Sequence, residues 1–127
     1  MSSGGGAKSI LVTAGILLAL GTVFGAVGTH VMRARLSPDQ LEIFETAVRY
    51  HFYNALGLLG IGAIALSMDS ALLRTAAWLI VAGVVFFSGA LYLAALGAPK
   101  MIHALPPLGG LAWIAGWGLF AFAVARR

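Results

Sequence analysis

The chain has 127 residues, of which 61% are hydrophobic and 9% are charged, whereas about a quarter of the residues in a soluble domain are charged. This balance excludes a water-soluble globule, and the net charge of +4 does not indicate nucleic-acid binding because the basic residues lie singly or in pairs. The absence of cysteine excludes disulfides, thiolate metal sites and covalently attached c-type haem.

The charged residues leave four long uncharged stretches. These are residues 9–32, 50–68, 75–99 and 101–125, with 24, 19, 25 and 25 residues. Each is long enough to cross a bilayer, for which a helix needs about 20 apolar residues, and none shows the alternation of a strand. The sequence therefore predicts an all-α integral membrane protein with four transmembrane helices in a single domain over residues 9–127.

Residues 1–8 are predicted to form a flexible N-terminal tail, since serine and glycine have nothing to bury there. The apolar run after Lys8 exceeds the roughly 7–15 residues of a signal peptide. We therefore expect it to be retained as the first span.

The second helix has a distinct start signal around Pro38. Ser37 fits an N-cap, Pro38 the first helical position and Gln40 the capping-box partner. At 100° per residue, polar side chains such as Glu45 and Arg49 share one face, opposite an apolar face. We predict an interfacial amphipathic start that continues into the second span.

The later elements follow from turn and breaker residues. Asp69 and Ser70 form a short turn into the third helix, which ends near residues 97–100. The pair Pro106-Pro107 favours the start of the fourth helix. Leaving aside Arg49 within the second helix, the basic residues near the span ends are Lys8, Arg74, Arg126 and Arg127 on one side and Arg33, Arg35 and Lys100 on the other. On this difference of four to three we expect both termini in the cytoplasm.

Small residues are spaced to allow close approach of helices. In lipid, such positions let neighbouring backbones touch. We interpret them as packing positions within the bundle, and a dimer face is the alternative. The predicted packing positions are Gly21, Gly25, Gly28, Gly57, Gly60, Ser88, Gly109, Gly110 and Gly116.

The polar residues concentrate at one membrane face, at the end of the first helix, the start of the second and the loop before the fourth. Glu45 and Arg49 are spaced as an i,i+4 ion pair, which we interpret as an exposed pair or a structural clamp, with a proton or substrate contact as the alternative. The predicted polar cluster comprises His30, Glu42, Glu45, Arg49 and Tyr50.

Three histidines are candidates for a metal or haem site at that face. His30, His51 and His103 would need to converge around one ion. Since interfacial histidines are more often anchors or packing residues, no metal and no cofactor is expected. Trp113 and Trp117 share a face of the fourth helix, which favours packing over a quinone or lipid pocket.

Several segments in order resemble a widespread family of small bacterial membrane proteins of unknown function, domain of unknown function 423, which is related to eukaryotic transmembrane protein 256. The matching segments are GAVGTH at 25–30, LSP at 36–38, FETAVRY at 44–50, FSGALY at 87–92, PLGG at 107–110 and AGW at 115–117. The resemblance implies a four-helix membrane protein with no established activity. Where the family often has histidine near position 54, this chain has Asn54.

The leading hypothesis is a non-enzymatic structural or accessory component of the bacterial inner membrane, in which Glu45, Arg49 and His30 lock the first helix to the second. No catalytic set, phosphate loop or dinucleotide motif is present. Its expected partners are the lipid bilayer and either a second copy or another membrane protein, with no nucleic acid. The alternatives are a small-solute or proton-coupled transporter and a metal-, haem- or quinone-binding protein.

Overall fold

The computed structural model describes residues 2–127, with side chains from residue 5 onward. Every regular element in this part of the chain is helical. Four long helical stretches follow one another: α1 over residues 2–35, α2 over Pro38–Ala65, α3 over Ala71–Ala95 and α4 over Leu105–Ala125. A short 3₁₀ segment, Lys100–Ala104, precedes α4.

Three stretches within the described residues are long and apolar enough to cross a membrane. They are Gly5–Arg35, Ala71–Ala95 and Lys100–Ala125. The α2 helix is longer than 20 residues, but the charged and polar residues of its first half lower its hydropathy. The prediction of an all-helical chain is confirmed, with three of its helices apolar and long enough to span a bilayer.

The first helix starts earlier than the sequence predicted. It is α-helical from Ser2, whereas a tail was expected over residues 1–8, of which residue 1 lies outside the described residues. Ala7 is fully buried, and the Gly6 backbone lies beside the Arg74 side chain of α3. Packing against α3 therefore accounts for the extra helical turns.

Local capping determines where α2 and α3 begin. The Ser37 hydroxyl accepts a bond from the Gln40 backbone N–H at 3.2 Å, and the Gln40 side chain accepts one from the Ser37 N–H at 3.1 Å. The predicted capping box and the helix start at Pro38 are thus confirmed. Ser70 caps α3 through the Leu73 N–H at 3.1 Å.

The helices α1 and α3 each contain a π-helical segment, Gly28–Met32 in α1 and Val84–Gly89 in α3. A π turn inserts one extra residue and shifts the side chains that follow around the helix axis. These segments carry His30 and Ser88, two of the residues that the sequence singled out.

The bundle has two apolar clusters, one toward each end. The larger one joins Ile10 of α1, Leu58 of α2, Ile80 of α3 and Trp113 of α4. The smaller one surrounds Phe44 and Tyr92 where α2 meets the last turns of α3. Between these clusters lies a set of buried hydrogen bonds.

Candidate functional site

His51 lies at the meeting point of three helices. Its side chain is 2% exposed, with Nε2 2.7 Å from the Leu17 carbonyl oxygen of α1 and Nδ1 2.9 Å from the Tyr92 hydroxyl of α3. Because a carbonyl oxygen only accepts, Nε2 carries a proton and donates to Leu17. In the neutral ring, Nδ1 then accepts from the Tyr92 hydroxyl. One side chain of α2 thereby links α1 to α3.

Ser88 joins α3 to α2 one turn away. It is fully buried, and its hydroxyl donates to the Ala47 carbonyl oxygen at 2.8 Å. The π segment of α3 contains Ser88 and brings it to the α2 backbone. Ala47 and His51 are one turn apart on α2, so both bonds lie along the same stripe of that helix.

The two tryptophans of α4 complete the connections. Trp113 donates its indole N–H to the Ile80 carbonyl oxygen of α3 at 3.0 Å. Trp117 donates to Asn54 Oδ1 on α2 at 3.0 Å, while the Asn54 amide nitrogen donates to the Tyr50 carbonyl oxygen at 3.0 Å. Every helix is therefore tied to another by at least one buried side chain.

We call this set the buried polar network. In the described part of the chain, no buried side-chain nitrogen or oxygen lacks a hydrogen-bond partner. A buried polar group without a partner costs free energy, so complete pairing stabilises the arrangement. The members are His51, Asn54, Ser88, Tyr92, Trp113 and Trp117.

The predicted ion pair between Glu45 and Arg49 is not formed. Among the described residues, ion pairs join Arg33 to Glu45, at 3.7 Å, and Arg74 to Asp69, at 2.7 Å. Arg33 reaches Glu45 because the last turn of α1 lies across the start of α2. The pair is largely exposed, and such pairs contribute about 0–1 kcal/mol.

The rest of the predicted polar cluster does not converge on one point. His30, Glu42 and Arg49 are exposed, and Tyr50 packs instead against aromatic neighbours, with its ring stacked 6.1 Å from that of Trp113. At the corner between α1 and α2, Phe44 packs closely on Gly28. Aromatic packing of Phe44 on Gly28 therefore holds the corner that His30 and Arg49 were predicted to lock, and the exposed pair from Arg33 adds little.

A shallow cleft of about 300 Å³ opens at this corner. Glu45 and Arg49 lie on its rim with Thr29, while Gly25 and Val48 line its wall. The cleft thus combines one acidic and one basic side chain, Glu45 and Arg49, with apolar residues such as Val48. Such a mixture is typical of the boundary between water and the membrane.

The three histidines occupy different environments. His51 is buried with both ring nitrogens engaged, whereas His30 and His103 are exposed. Within residues 2–127, no group of three or more histidine, aspartate or glutamate side chains could hold a metal ion. The convergence that a histidine metal or haem site requires is therefore not found in the described residues.

Most of the predicted small residues lie where helices meet, although two do not. A Cβ on Gly21 would meet Phe52 at 3.1 Å, one on Gly28 would meet Phe44 at 3.0 Å and one on Gly116 would meet Ile80 at 2.9 Å. Gly57 lies against Trp117, Gly109 against the Phe87 backbone and Gly25 in ordinary contact with Val48 at 3.7 Å. A Cβ on Gly60 or Gly110 would meet nothing within 4 Å, so these two glycines face outward.

Sequence reasoning missed the partners of several residues. It assigned no role to Asn54, although spacing placed it three residues after His51 on the same helix face. It also missed Gly62, where a Cβ would meet Leu11 at 2.6 Å, and Gly83, which lies against the Trp113 ring. Gly83 packs against Trp113 and Gly57 against Trp117. Because each pair joins residues of two different helices, no short sequence motif predicts the contact.

Comparison with known proteins identifies related membrane proteins. A family model described as "Protein of unknown function (DUF423)" matches residues 24–110. A UPF0382 membrane protein of Staphylococcus haemolyticus is 43% identical over 101 residues, covering 80% of both chains. The UPF0382 membrane protein YwdK of Bacillus subtilis is 36% identical over 118 residues, covering 92% of this chain and 94% of YwdK.

No solved structure matches the chain. The family match covers more than half of the sequence, and the relatives are named as membrane proteins without a stated activity. The chain belongs to the DUF423 family of membrane proteins of unknown function.

Proposed function

We propose that the protein is a non-enzymatic structural or accessory component of the bacterial inner membrane. The observation that carries this proposal is the complete internal pairing of the buried polar network. A catalytic or transport site needs polar groups that are free to meet a substrate. Here His51, Asn54 and Ser88 bond to neighbouring helices instead.

We further propose that α2 is the fourth span and that it begins as an amphipathic helix at the membrane surface. Glu42, Glu45 and Arg49 are exposed, whereas Phe44 and Ala47 are buried. After Asn54, the rest of α2 has no charged residue. This pattern supports a charged first half at the headgroups and an apolar second half in the hydrocarbon region.

The same proposal places both termini in the cytoplasm. Because the chain has no native cysteine, single variants report membrane side without background labelling. We expect a membrane-impermeant maleimide to label Ser37→Cys from outside intact cells and to label Ser67→Cys only after permeabilisation. Labelling of both from the same side would contradict four spans, and the reversed pattern would contradict the orientation.

The accessory role is tested against transport with reconstituted protein. We expect proteoliposomes to show no more ion, proton or small-solute flux than empty vesicles. We also expect the protein in mildly solubilised membranes to migrate on native gels as a complex larger than one chain, formed with a second copy or another membrane protein. A flux that His51→Gln abolishes, or a monomer at native abundance, would overturn the proposal.

A further inference from the structure

An open cleft of about 430 Å³ lies at the end of the bundle opposite the corner between α1 and α2. The turn between α2 and α3 forms one wall, with the Ser67 and Ser70 side chains, and the end of α4 forms the other, with Arg126 and Arg127. Met68, Leu73 and Ala123 pack together beneath this region. The cleft is therefore polar at its mouth and rests on the apolar core.

The two arginines bring positive charge to the cleft that no acidic side chain of the described residues pairs with. Neither Arg126 nor Arg127 forms an ion pair among the described residues, and the carboxylate of Asp69, which also lines the cleft, is 2.7 Å from Arg74. The Arg126 guanidinium lies 5.9 Å from the centre of the Phe122 ring. Since Phe122 is exposed on the apolar side of α4, this contact positions the charge at the boundary between lipid and water.

The charge at the two ends of the bundle differs. Among the side chains at the cleft end, four are basic and one is acidic, whereas at the other end four are basic and three are acidic. The cleft end comprises Lys8, Asp69, Arg74, Arg126 and Arg127, and the other end comprises Arg33, Arg35, Asp39, Glu42, Glu45, Arg49 and Lys100. Basic pockets at a membrane surface attract anionic headgroups.

From this geometry we infer that the cleft binds a phosphate-bearing anion, through Arg126 and Arg127, with the phosphodiester of an anionic phospholipid as its ligand. Guanidinium groups bind phosphate through paired, charge-assisted hydrogen bonds. On the opposite wall, the Ser70 hydroxyl accepts from the Leu73 N–H at 3.1 Å and keeps its own proton to donate to a glycerol or phosphate oxygen. The site goes beyond the proposed accessory role and does not depend on it.

Native mass spectrometry of the full chain in a neutral detergent tests this site. Dihexanoyl phosphatidylglycerol is titrated in parallel with dihexanoyl phosphatidylcholine, and inorganic phosphate is added as a competitor. We expect the anionic lipid to bind the wild type more tightly. The variant Arg126→Gln/Arg127→Gln should bind it at least about tenfold more weakly, because a hydrogen bond to a charged group contributes about 1.5–3 kcal/mol and each 1.4 kcal/mol is about tenfold in affinity.

The matched control is Arg35→Gln/Lys100→Gln, which removes the same charge at the other end from side chains without an ion pair in the described chain. This variant should bind the lipid like the wild type. Competition by millimolar phosphate would support the anion site and assign it to free phosphate, whereas no competition assigns it to the lipid. Equal binding of both lipids, or equal losses in both double variants, would overturn the inference.

Discussion

The neighbouring glycines Gly109 and Gly110 provide a sharp test of helix packing. A Cβ on Gly109 would collide with the Phe87 backbone nitrogen and would lie 2.9 Å from the Gly83 carbonyl oxygen, whereas one on Gly110 would meet nothing within 4 Å. Because backbone atoms of α3 cannot rotate away, Gly109→Ala must push α4 from α3. Overpacking of this kind costs about 1–3 kcal/mol.

The comparison with Gly110→Ala isolates the steric effect. Both substitutions gain the same helix propensity, about 0.8–1.0 kcal/mol in an ordinary helix interior, so this gain cancels in the difference. We expect Gly109→Ala to be less stable than Gly110→Ala by about 1–3 kcal/mol. Gly110→Ala itself should be as stable as the wild type or more so.

The assay is reversible unfolding in mixed micelles of neutral detergent and dodecyl sulfate, followed by tryptophan fluorescence. Trp113 packs against Gly83 at the same interface, so its emission reports separation of α3 and α4. If the two alanine variants unfolded at the same dodecyl sulfate fraction, the close approach at Gly109 would be refuted.

Three further predictions use the same unfolding measurement. Tyr92→Phe should lower the free energy of unfolding by about 1–2 kcal/mol, because it removes the buried hydrogen bond from the Tyr92 hydroxyl to His51. Tyr53 is exposed, so the control Tyr53→Phe should leave the free energy of unfolding unchanged. Equal effects of the two variants would contradict the role of the bond. Glu45→Gln should lower the free energy of unfolding by less than about 1 kcal/mol, since the ion pair between Glu45 and Arg33 is exposed to solvent. A larger loss would show that the pair clamps the corner between α1 and α2. Ser37→Ala should lower the free energy of unfolding by about 1 kcal/mol, because it removes the N-cap of α2. An unchanged free energy of unfolding would show that the cap is dispensable.

Sequence predicted best the features that depend on short-range chemistry. The apolar lengths indicated helices, and the Ser37 to Gln40 signal placed the start of α2 at Pro38 as observed. These features depend on residues that are neighbours in the chain. The glycines at 21, 28, 57, 109 and 116 lie where helices meet, because small residues are selected by packing in lipid whichever helix is the neighbour.

The features that sequence could not give depend on which helix faces which. The spacing of Glu45 and Arg49 suited an ion pair, but Arg33 of another helix lies closer to Glu45. The extra residue in each π segment also changes the register, so ideal 100° steps misplace side chains beyond it. Gly60 and Gly110 fit a packing pattern and yet face outward, since the pattern does not say whether a partner helix is present.

The buried polar network has a physical role that apolar contacts cannot fill in lipid. Hydrocarbon side chains are as well solvated by acyl chains as by other helices, so apolar burial alone discriminates little between helix rotations. Hydrogen bonds from His51, Ser88 and Trp117 each have one partner on a defined helix face, and any rotation would leave polar groups unpaired in hydrocarbon. The network therefore fixes the register of the bundle.

Because every buried polar side chain of the described residues already has a hydrogen-bond partner, polar groups that can bind other molecules lie at the ends of the helices. There the chain has a mixed-charge cleft around Glu45 and Arg49 and a basic cleft around Arg126 and Arg127. Because the exposed surface between the two ends is largely apolar, we propose that lipid headgroups or other membrane proteins bind at the charged ends. We therefore expect a partner or lipid that binds this bundle selectively to contact its charged ends, and substitution of Arg126 and Arg127 to change association without changing the stability of the fold.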